Sequence, residues 1–475
     1  MKIIAVDIGT SRIKTAAFDE SGRMSGLRSK RLDRAASPVT QDAEEWFTAA
    51  AGLLRELTAG LGDKPDAVVL TGNMHALLGL DGDGKPVAPA VLWSDNSAQA
   101  ESDELNRRYG DDLPARFGSR AIPVFTLPKI MQMKNERPEL YRRSAVFLQS
   151  KDFVTFRLTG KAVTDPTDAS GVLAMDLDSK QWSESLLDEL GIDPGKLPPV
   201  RPSASVCGAV TASAAAATGL PEGLPVVTGC GDLASAAAGS GVNDRTLSLT
   251  LGTAGQLLGT GLPEHRGEIA GKLFVFAHAD PDRDLYLGSV PAGGFSFEWF
   301  ASRHGLSMPE FFRLAESVPL TADLPVFLPY LLGRGAPSMD YRSAGAWLGL
   351  SAHHTLADLC RAAVFGALCP LRQCADLLEQ TAGPRPELLL QALACREKAV
   401  RETASALFRQ QKFLPENAEA SLLGAAVTAF SALGVYPGVD ATASAMVRRQ
   451  AYDGPENEAA EKLYRRFLDS ASKIG

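Results

Sequence analysis

The sequence predicts an α/β protein built from two domains of one design. Three observations carry that prediction: the length, a repeated motif, and the alternation of strand-like with helix-like runs. At 475 residues the chain exceeds what one hydrophobic core usually supports. Residues 3–17 read IIAVDIGTSRIKTAA and residues 247–261 read LSLTLGTAGQLLGTG. Each is a short apolar strand, a Gly-Thr pair with a small residue after it, and a second strand. Gly9-Thr10-Ser11 corresponds to Gly252-Thr253-Ala254, and Asp7 to Thr250. The separation is about half the chain, as two copies of one domain require. A second echo pairs DAVVLTGNMH (66–75) with LPVVTGCGD (224–232), each a buried strand running into small and then polar residues. Strand-like runs alternate with helical patterns such as 42–57 and 356–378, which indicates α/β layers in each half. The polar stretch VNDRT (242–246) marks the crossing, giving domains 1–243 and 244–475.

Composition excludes several classes. Hydrophobic residues make up 45% and charged residues 22%, as in ordinary globular chains, and the net charge is -8. No basic cluster interleaved with aromatics occurs, so a nucleic-acid partner is not expected. The six cysteines form no CxxC pair, which argues against a zinc site or disulfide framework and fits a reducing compartment. Met1-Lys2 leads directly into the first strand, and AVTASAAAATGL is too short to span a bilayer. A cytoplasmic protein with no membrane partner is the expectation.

The chemistry begins with Asp7. A carboxylate near the end of an apolar strand is costly unless something meets it. Gly9-Thr10-Ser11 follows it, and glycine there permits positive φ and convergent backbone N–H groups that bind anions. One such turn read alone is equally a plain hairpin. Two copies facing one another across a cleft would grip a polyphosphate from both sides.

These segments resemble the FGGY carbohydrate kinases of the actin-like ATPase superfamily. The resemblance runs over nearly the whole chain. It rests on VDIGTSRIK (6–14), TGNMHALLGLDGDGKPVAPAVLWSD (71–95) and the run from Leu127 to Gly171. It continues through PVVTGCGDLASAAAGSG (225–241), LTLGTAGQ (249–256), FLPYLLGRGAP (327–337) and GAWLGLSAHHTLADLCRA (345–362). The resemblance implies two ribonuclease-H-like domains around a central cleft. It places the sugar site and first phosphate loop in the N-terminal domain, and the second phosphate loop and adenosine site in the C-terminal one. The implied reaction is ATP- and Mg²⁺-dependent transfer of the γ-phosphoryl to a sugar hydroxyl, with a ketose such as D-xylulose the first choice.

The resemblance also implies roles. Asp232, at the end of PVVTGCGD, is the expected catalytic base, against the plainer reading of a helix-capping aspartate. Asp7 would organise magnesium, through water. Thr10, Ser11 and Lys14, with Gly9, would line the first phosphate loop, although Lys14 is equally readable as a solvated strand residue. Gly252 and Thr253 would line the second. Asn73, Met74, His75, Trp93 and Asp232 would contact the sugar. Gly293 and Gly294 would border the nucleotide, and Gly424 the adenine. His353 and His354 read as structural, and Phe297, Trp299 and Phe300 as core.

Three departures from the family pattern stand out. LWSDNSAQ has Asn96, Ser97 and Ala98 where many members carry an arginine. GRGAP puts Arg334 and Gly335 where Glu-Arg is usual. LLLQALACREK (388–398) stands where a triple glycine is expected. Some segments lean toward xylulokinase and gluconokinase, others toward the sedoheptulokinase-like branch. A catalytically weak sugar- or nucleotide-binding homologue is the alternative of another class. An ATPase acting on a protein partner has no use for Met74-His75 and Trp93-x-Asp95. The sequence leaves a homodimer open.

Overall fold

A computed structural model describes residues 1–33, 37–455 and 457–473. The chain divides into two compact units. The first comprises 1–241, 275–285 and 419–447, and the second 242–274, 286–418 and 448–475. The expected division, 1–243 and 244–475, was linear in sequence. The observed units are not, because two later segments fold with the first.

In the first unit the sheet strands are β1 (Lys2–Ile8), β2 (Arg12–Asp19), β3 (Met24–Arg31), β4 (Ala67–Gly72), β5 (Val206–Ala209) and β6 (Pro225–Gly231), in the order β5-β6-β4-β1-β2-β3. β1 runs antiparallel to β2, with Asp7 opposite Lys14 and Ile8 opposite Ile13. It runs parallel to β4, which in turn is parallel to β6. Ile3, Ile4, Ala5, Val6 and Ile8 are all fully buried. A near-continuous apolar run of this kind suits a strand covered on both faces. Helix α1 (Ala43–Gly60) covers one face: Asp42 caps it by accepting from the Glu44 N–H, and Trp46, Leu53, Leu54 and Leu57 are buried.

In the second sheet the strands are β7 (Thr246–Leu251), β8 (Gly255–Gly261), β9 (Phe274–Ala277), β10 (Asp284–Val290), β11 (Glu387–Ala392), β12 (Gln411–Pro415) and β13 (Arg449–Tyr452). Their order is β9-β10-β8-β7-β11-β12-β13. β7 pairs antiparallel with β8 and parallel with β11, and β11 pairs parallel with β12. The sequence β10-β8-β7-β11-β12 therefore repeats β3-β2-β1-β4-β6. The internal repeat is one of topology as well as of motif.

Five further helices position the site: α2 (Thr126–Glu136), α3 (Ser150–Thr159), α4 (Pro166–Ser170), α5 (Asp232–Gly239) and α6 (Ala420–Ala432). Helix α6 brings the 419–447 segment into the first unit. A side chain at Gly239 would run into the Ala420 carbonyl, and one at Gly424 into the Ser235 carbonyl. The two helices cross with their backbones in contact, which only glycine allows at these positions.

Candidate active site

Strands β1, β4 and β6 are parallel and end level with one another: Ile8 pairs with Gly72, and Gly72 with Gly231. Ligand sites of open α/β sheets form where parallel strands end. The residues at this edge are Asp7 on β1, Asn73-Met74-His75 after β4, and Asp232 after β6.

Asp7 is half-buried, and its Oδ1 is shut off from solvent with no hydrogen-bond partner. Burial, then repulsion from Asp232, pushes its carboxyl up to about 7, while the Lys14 ammonium opposes the rise and Glu419 adds to it. Asp232, also half-buried, is pushed up to about 7 by burial, against a hydrogen bond from the Leu233 N–H. Two carboxyls this close in an apolar edge do not both ionise freely. An orphaned buried carboxylate oxygen beside a second carboxylate is a hard-oxygen donor set, which fits Mg²⁺.

The first hairpin turn is tied down from three directions. Thr10 Oγ1 accepts the Trp93 indole N–H at 2.9 Å, and the Thr10 carbonyl accepts from Gln41 Nε2 at 2.6 Å. The Ser11 carbonyl accepts from the Leu32 N–H. Gly9 does not use positive φ; its missing side chain is needed because a Cβ would lie 2.7 Å from the Arg12 carbonyl oxygen. Lys14 Nζ lies 2.5 Å from Glu419 Oε2, an ion pair in which the lysine side chain stays 32% exposed.

Around His75 the contacts settle a protonation state. His75 adopts φ 67, a left-handed conformation rare outside glycine. Its N–H donates to Gln149 Oε1 at 2.6 Å, and its carbonyl accepts from Lys129 Nζ at 2.9 Å. Nδ1 lies 2.8 Å from the Gly171 carbonyl, which can only accept, so Nδ1 carries the proton and Nε2 the lone pair. Burial drives the imidazole down to about 4, the Lys129 charge acting the same way against the Gly171 bond, so the ring is neutral at physiological pH. Phe125 and Phe276 flank it at ring-centroid distances of 5.1 and 6.0 Å. Asn73 Nδ2 donates to the Ile8 carbonyl, and its buried Oδ1 has no partner. Met74 is buried. Trp93 is exposed and joined to the first hairpin turn by its indole N–H, which the sequence pattern did not suggest.

In the second unit Gly252, Thr253, Gly293 and Gly294 do come together. Gly294 N–H donates to the Gly252 carbonyl at 2.8 Å and Phe295 N–H to that of Thr253 at 3.0 Å. Gly293 packs on Ala254 and Gly255, where any Cβ would clash. A Cβ at Gly252 would meet only the Ala254 oxygen, 3.9 Å away, so the chain's own packing does not demand glycine there. Gly424, expected to border the adenine, folds with the first unit and lies against α5, where a Cβ would run into the Ser235 carbonyl. Its conspicuous glycine serves helix packing. Where a triple glycine was expected, Ala392 takes φ 51. An alanine thus holds a conformation that glycine would hold without strain.

Sequence reasoning missed two buried lysines. Lys129 on α2 donates to three carbonyls, those of His75, Leu92 and Val124, at 2.8–2.9 Å. Burial pulls its pKa down to about 7, against the field of Asp95. Lys151 on α3 lies 2.7 Å from Asp152, 3.0 Å from Asp165 and 3.0 Å from Asp168, all four fully buried. The only signal available was a lysine inside each of two apolar stretches, LPKIM and LQSKDFV. Among the described residues the one cluster of three metal-ligating side chains is Asp323, His353 and His354. His354 has no lone pair to give there: Nδ1 accepts the Ser351 N–H and Nε2 lies 3.1 Å from the Asp323 carbonyl. Both histidines serve the approach to the helix Leu356–Ala382.

Fold and site edge together define a two-domain α/β phosphotransferase of the actin-like ATPase architecture, and solved structures agree. The xylulose kinase of Rhodospirillum rubrum superposes with a TM-score of 0.90 at 26% identity, covering 100% of this chain and 99% of that one. Residues 2–239 match the N-terminal domain of the FGGY family of carbohydrate kinases, and residues 249–433 its C-terminal domain. The chain belongs to that family and is a sugar phosphotransferase. It is 28% identical to the xylulose kinase of Bacillus subtilis (strain 168), over 99% of this chain and 96% of the relative. It is 25% identical to the gluconokinase of Bacillus licheniformis, over 98% and 94%. Among the described residues no helix is long and apolar enough to cross a membrane.

Proposed function

We propose that this protein phosphorylates D-xylulose with ATP, and that Asp232 accepts the proton of the attacking hydroxyl. The observation that supports this most is the sheet edge that carries the half-buried acid pair Asp7 and Asp232 together with the neutral imidazole of His75, which follows the strand between theirs. A group titrating near 7 is matched to accepting a proton at physiological pH. The neutral His75 Nε2 accepts a sugar hydroxyl hydrogen bond, and Asn73 Oδ1 offers another acceptor.

A neutral ketose suits this edge better than gluconate. Lys129 is spent on three carbonyls and Lys151 on three carboxylates, while Lys14, paired with Glu419, is assigned to the phosphates. The arginine that many relatives carry after Trp-x-Asp is Asn96 to Ala98 here. A substrate carboxylate would thus meet acidic groups and no spare lysine.

Asp7 would hold Mg²⁺ through water; the bound ion would offset phosphate charge. Gly9, Thr10, Ser11 and Lys14 would receive phosphate oxygens in the first unit, and Gly252 and Thr253 in the second, with Gly293 and Gly294 shaping the second loop. The first unit then carries the sugar site and the second the adenosine site. Six free cysteines are consistent with a reducing, cytoplasmic setting.

A coupled ADP assay with D-xylulose, other ketoses, alditols and gluconate tests the reading. D-Xylulose should be preferred, and Asp232→Ala should lower kcat by about 10²–10⁴-fold with the fold intact. Phosphorylation of gluconate alone, or of nothing in the panel, would defeat the substrate assignment. Full activity of Asp232→Ala would defeat the base.

A further inference from the structure

We propose that Thr167, set by Asp165 and Lys151, is a positioning residue for Asp232; the proposal rests on reading Asp232 as the base. The device is a buried hydrogen-bond chain that ends on the peptide immediately before Asp232.

Asp165 caps the short helix α4, its Oδ2 accepting from the Thr167 N–H at 3.0 Å. The same oxygen accepts the Thr167 hydroxyl at 2.7 Å and the Ser203 hydroxyl at 2.6 Å. Thr167 has one hydroxyl hydrogen, and Asp165 takes it. A lone pair of Oγ1 is therefore left pointing elsewhere, and it accepts the Gly231 N–H at 2.8 Å. The other Asp165 oxygen, Oδ1, lies 3.0 Å from Lys151 Nζ. Thr167, Asp165 and Lys151 are all 1% exposed or less, so water cannot substitute for a lost link.

Gly231 needs such a hold. Strand β6 loses its register with β4 between Val227 and Cys230, and Gly229 takes φ 72, so ladder pairing is interrupted just before the catalytic peptide. Gly231 is also clamped sterically: a Cβ there would lie 2.7 Å from Met74 Cγ and 2.8 Å from Asp168 Oδ1. The peptide that launches Asp232 is thus held by the expected sugar-contacting Met74 on one side and α4 on the other. Lys151 faces three carboxylates and engages Asp165 through Oδ1, leaving Oδ2 to accept and so orient the Thr167 hydroxyl. A base must lie within hydrogen-bond reach of its proton, and a displacement of about 1 Å can cost about 10²-fold.

The test compares Thr167→Val, Thr167→Ser, Ser203→Ala and Asp232→Ala in the full chain. Thr167→Val keeps shape and loses the acceptor; kcat should fall about 10- to 100-fold while KM for D-xylulose and for ATP stays within about twofold. Thr167→Ser restores the oxygen and should recover kcat to within about threefold of the parent. Ser203→Ala, one link further out, should lower kcat about two- to fivefold and carries the test should Thr167→Val not fold. Parent-like kcat in the valine variant beside an inactive Asp232→Ala would overturn the positioning role alone. So would a joint loss of kcat and of both affinities without serine rescue. An active Asp232→Ala would overturn the base assignment, and the positioning role with it.

Discussion

The two Gly-Thr hairpins share a topology and differ in charge. Both join antiparallel strands by three residues, 9–11 and 252–254, and both lie beside a parallel strand on the other side. In the first, the facing pair before and after the turn is Asp7 and Lys14; in the second it is Thr250 and Gln256. The first has a buried carboxylate oxygen without a partner and a lysine paired to Glu419. The second is neutral and held by backbone bonds to Gly294 and Phe295. The two copies share the turn between antiparallel strands, while only the first carries ionisable groups at the facing positions. Under the proposed function, metal chemistry would belong with the first hairpin and plain phosphate contact with the second.

The sharpest way to break this comparison is to neutralise one jaw at a time. Asp7→Asn should lower kcat by about 10²–10³-fold, and Thr250→Val by less than about fivefold, in the coupled assay at saturating Mg²⁺ and ATP. Equal losses would mean that the hairpins are functionally alike.

A pH series sharpens it next. Both Asp7 and Asp232 are pushed up to about 7, so the folded state binds protons that the unfolded state has released. Stability therefore falls as pH rises from about 4 to about 7, because the fold increasingly holds charged carboxylates in an apolar edge. Removing one of them should help at high pH: Asp7→Asn should melt about 1–3 °C above the parent at pH 8 and level with it at pH 4. Thr250→Val should show no such pH dependence by differential scanning fluorimetry. Activity should run the opposite way, with kcat/KM falling as the pH drops through about 7 and the proposed base Asp232 takes up its proton.

The smallest effect concerns the strand beside the second hairpin. Ala392, opposite Leu251, holds φ 51. Ala392→Gly should stabilise the protein by about 0.5–1 kcal/mol in urea unfolding, since relief of the left-handed backbone outweighs the added freedom of the unfolded chain. An unchanged or lower midpoint would show that this alanine costs nothing.

The α/β layers, the duplication, the family and the acidic residues at strand ends were all legible from residue order. Each depends on local signals: apolar runs, Gly-Thr turns, and polar residues at the ends of buried strands. The roles of Gly424, Lys129 and Lys151 were not. A glycine in EASLLGAAV reads the same with or without a helix backbone against its open face, and only the crossing with α5 shows that one lies there. The links from Lys151 to Asp165 and from Thr167 to Gly231 join residues 14 and 64 positions apart. No periodicity marks such pairs, because a buried hydrogen bond depends on where chains meet. Sequence by itself determined which chemical groups stand at the ends of the strands. Tertiary structure alone decided their partners, and with them the tautomer of His75, the raised titration of Asp7 and Asp232, and the hydroxyl orientation that holds Gly231. Burial and proximity set proton affinities and hydrogen-bond direction, and neither is a property of a residue in its chain order.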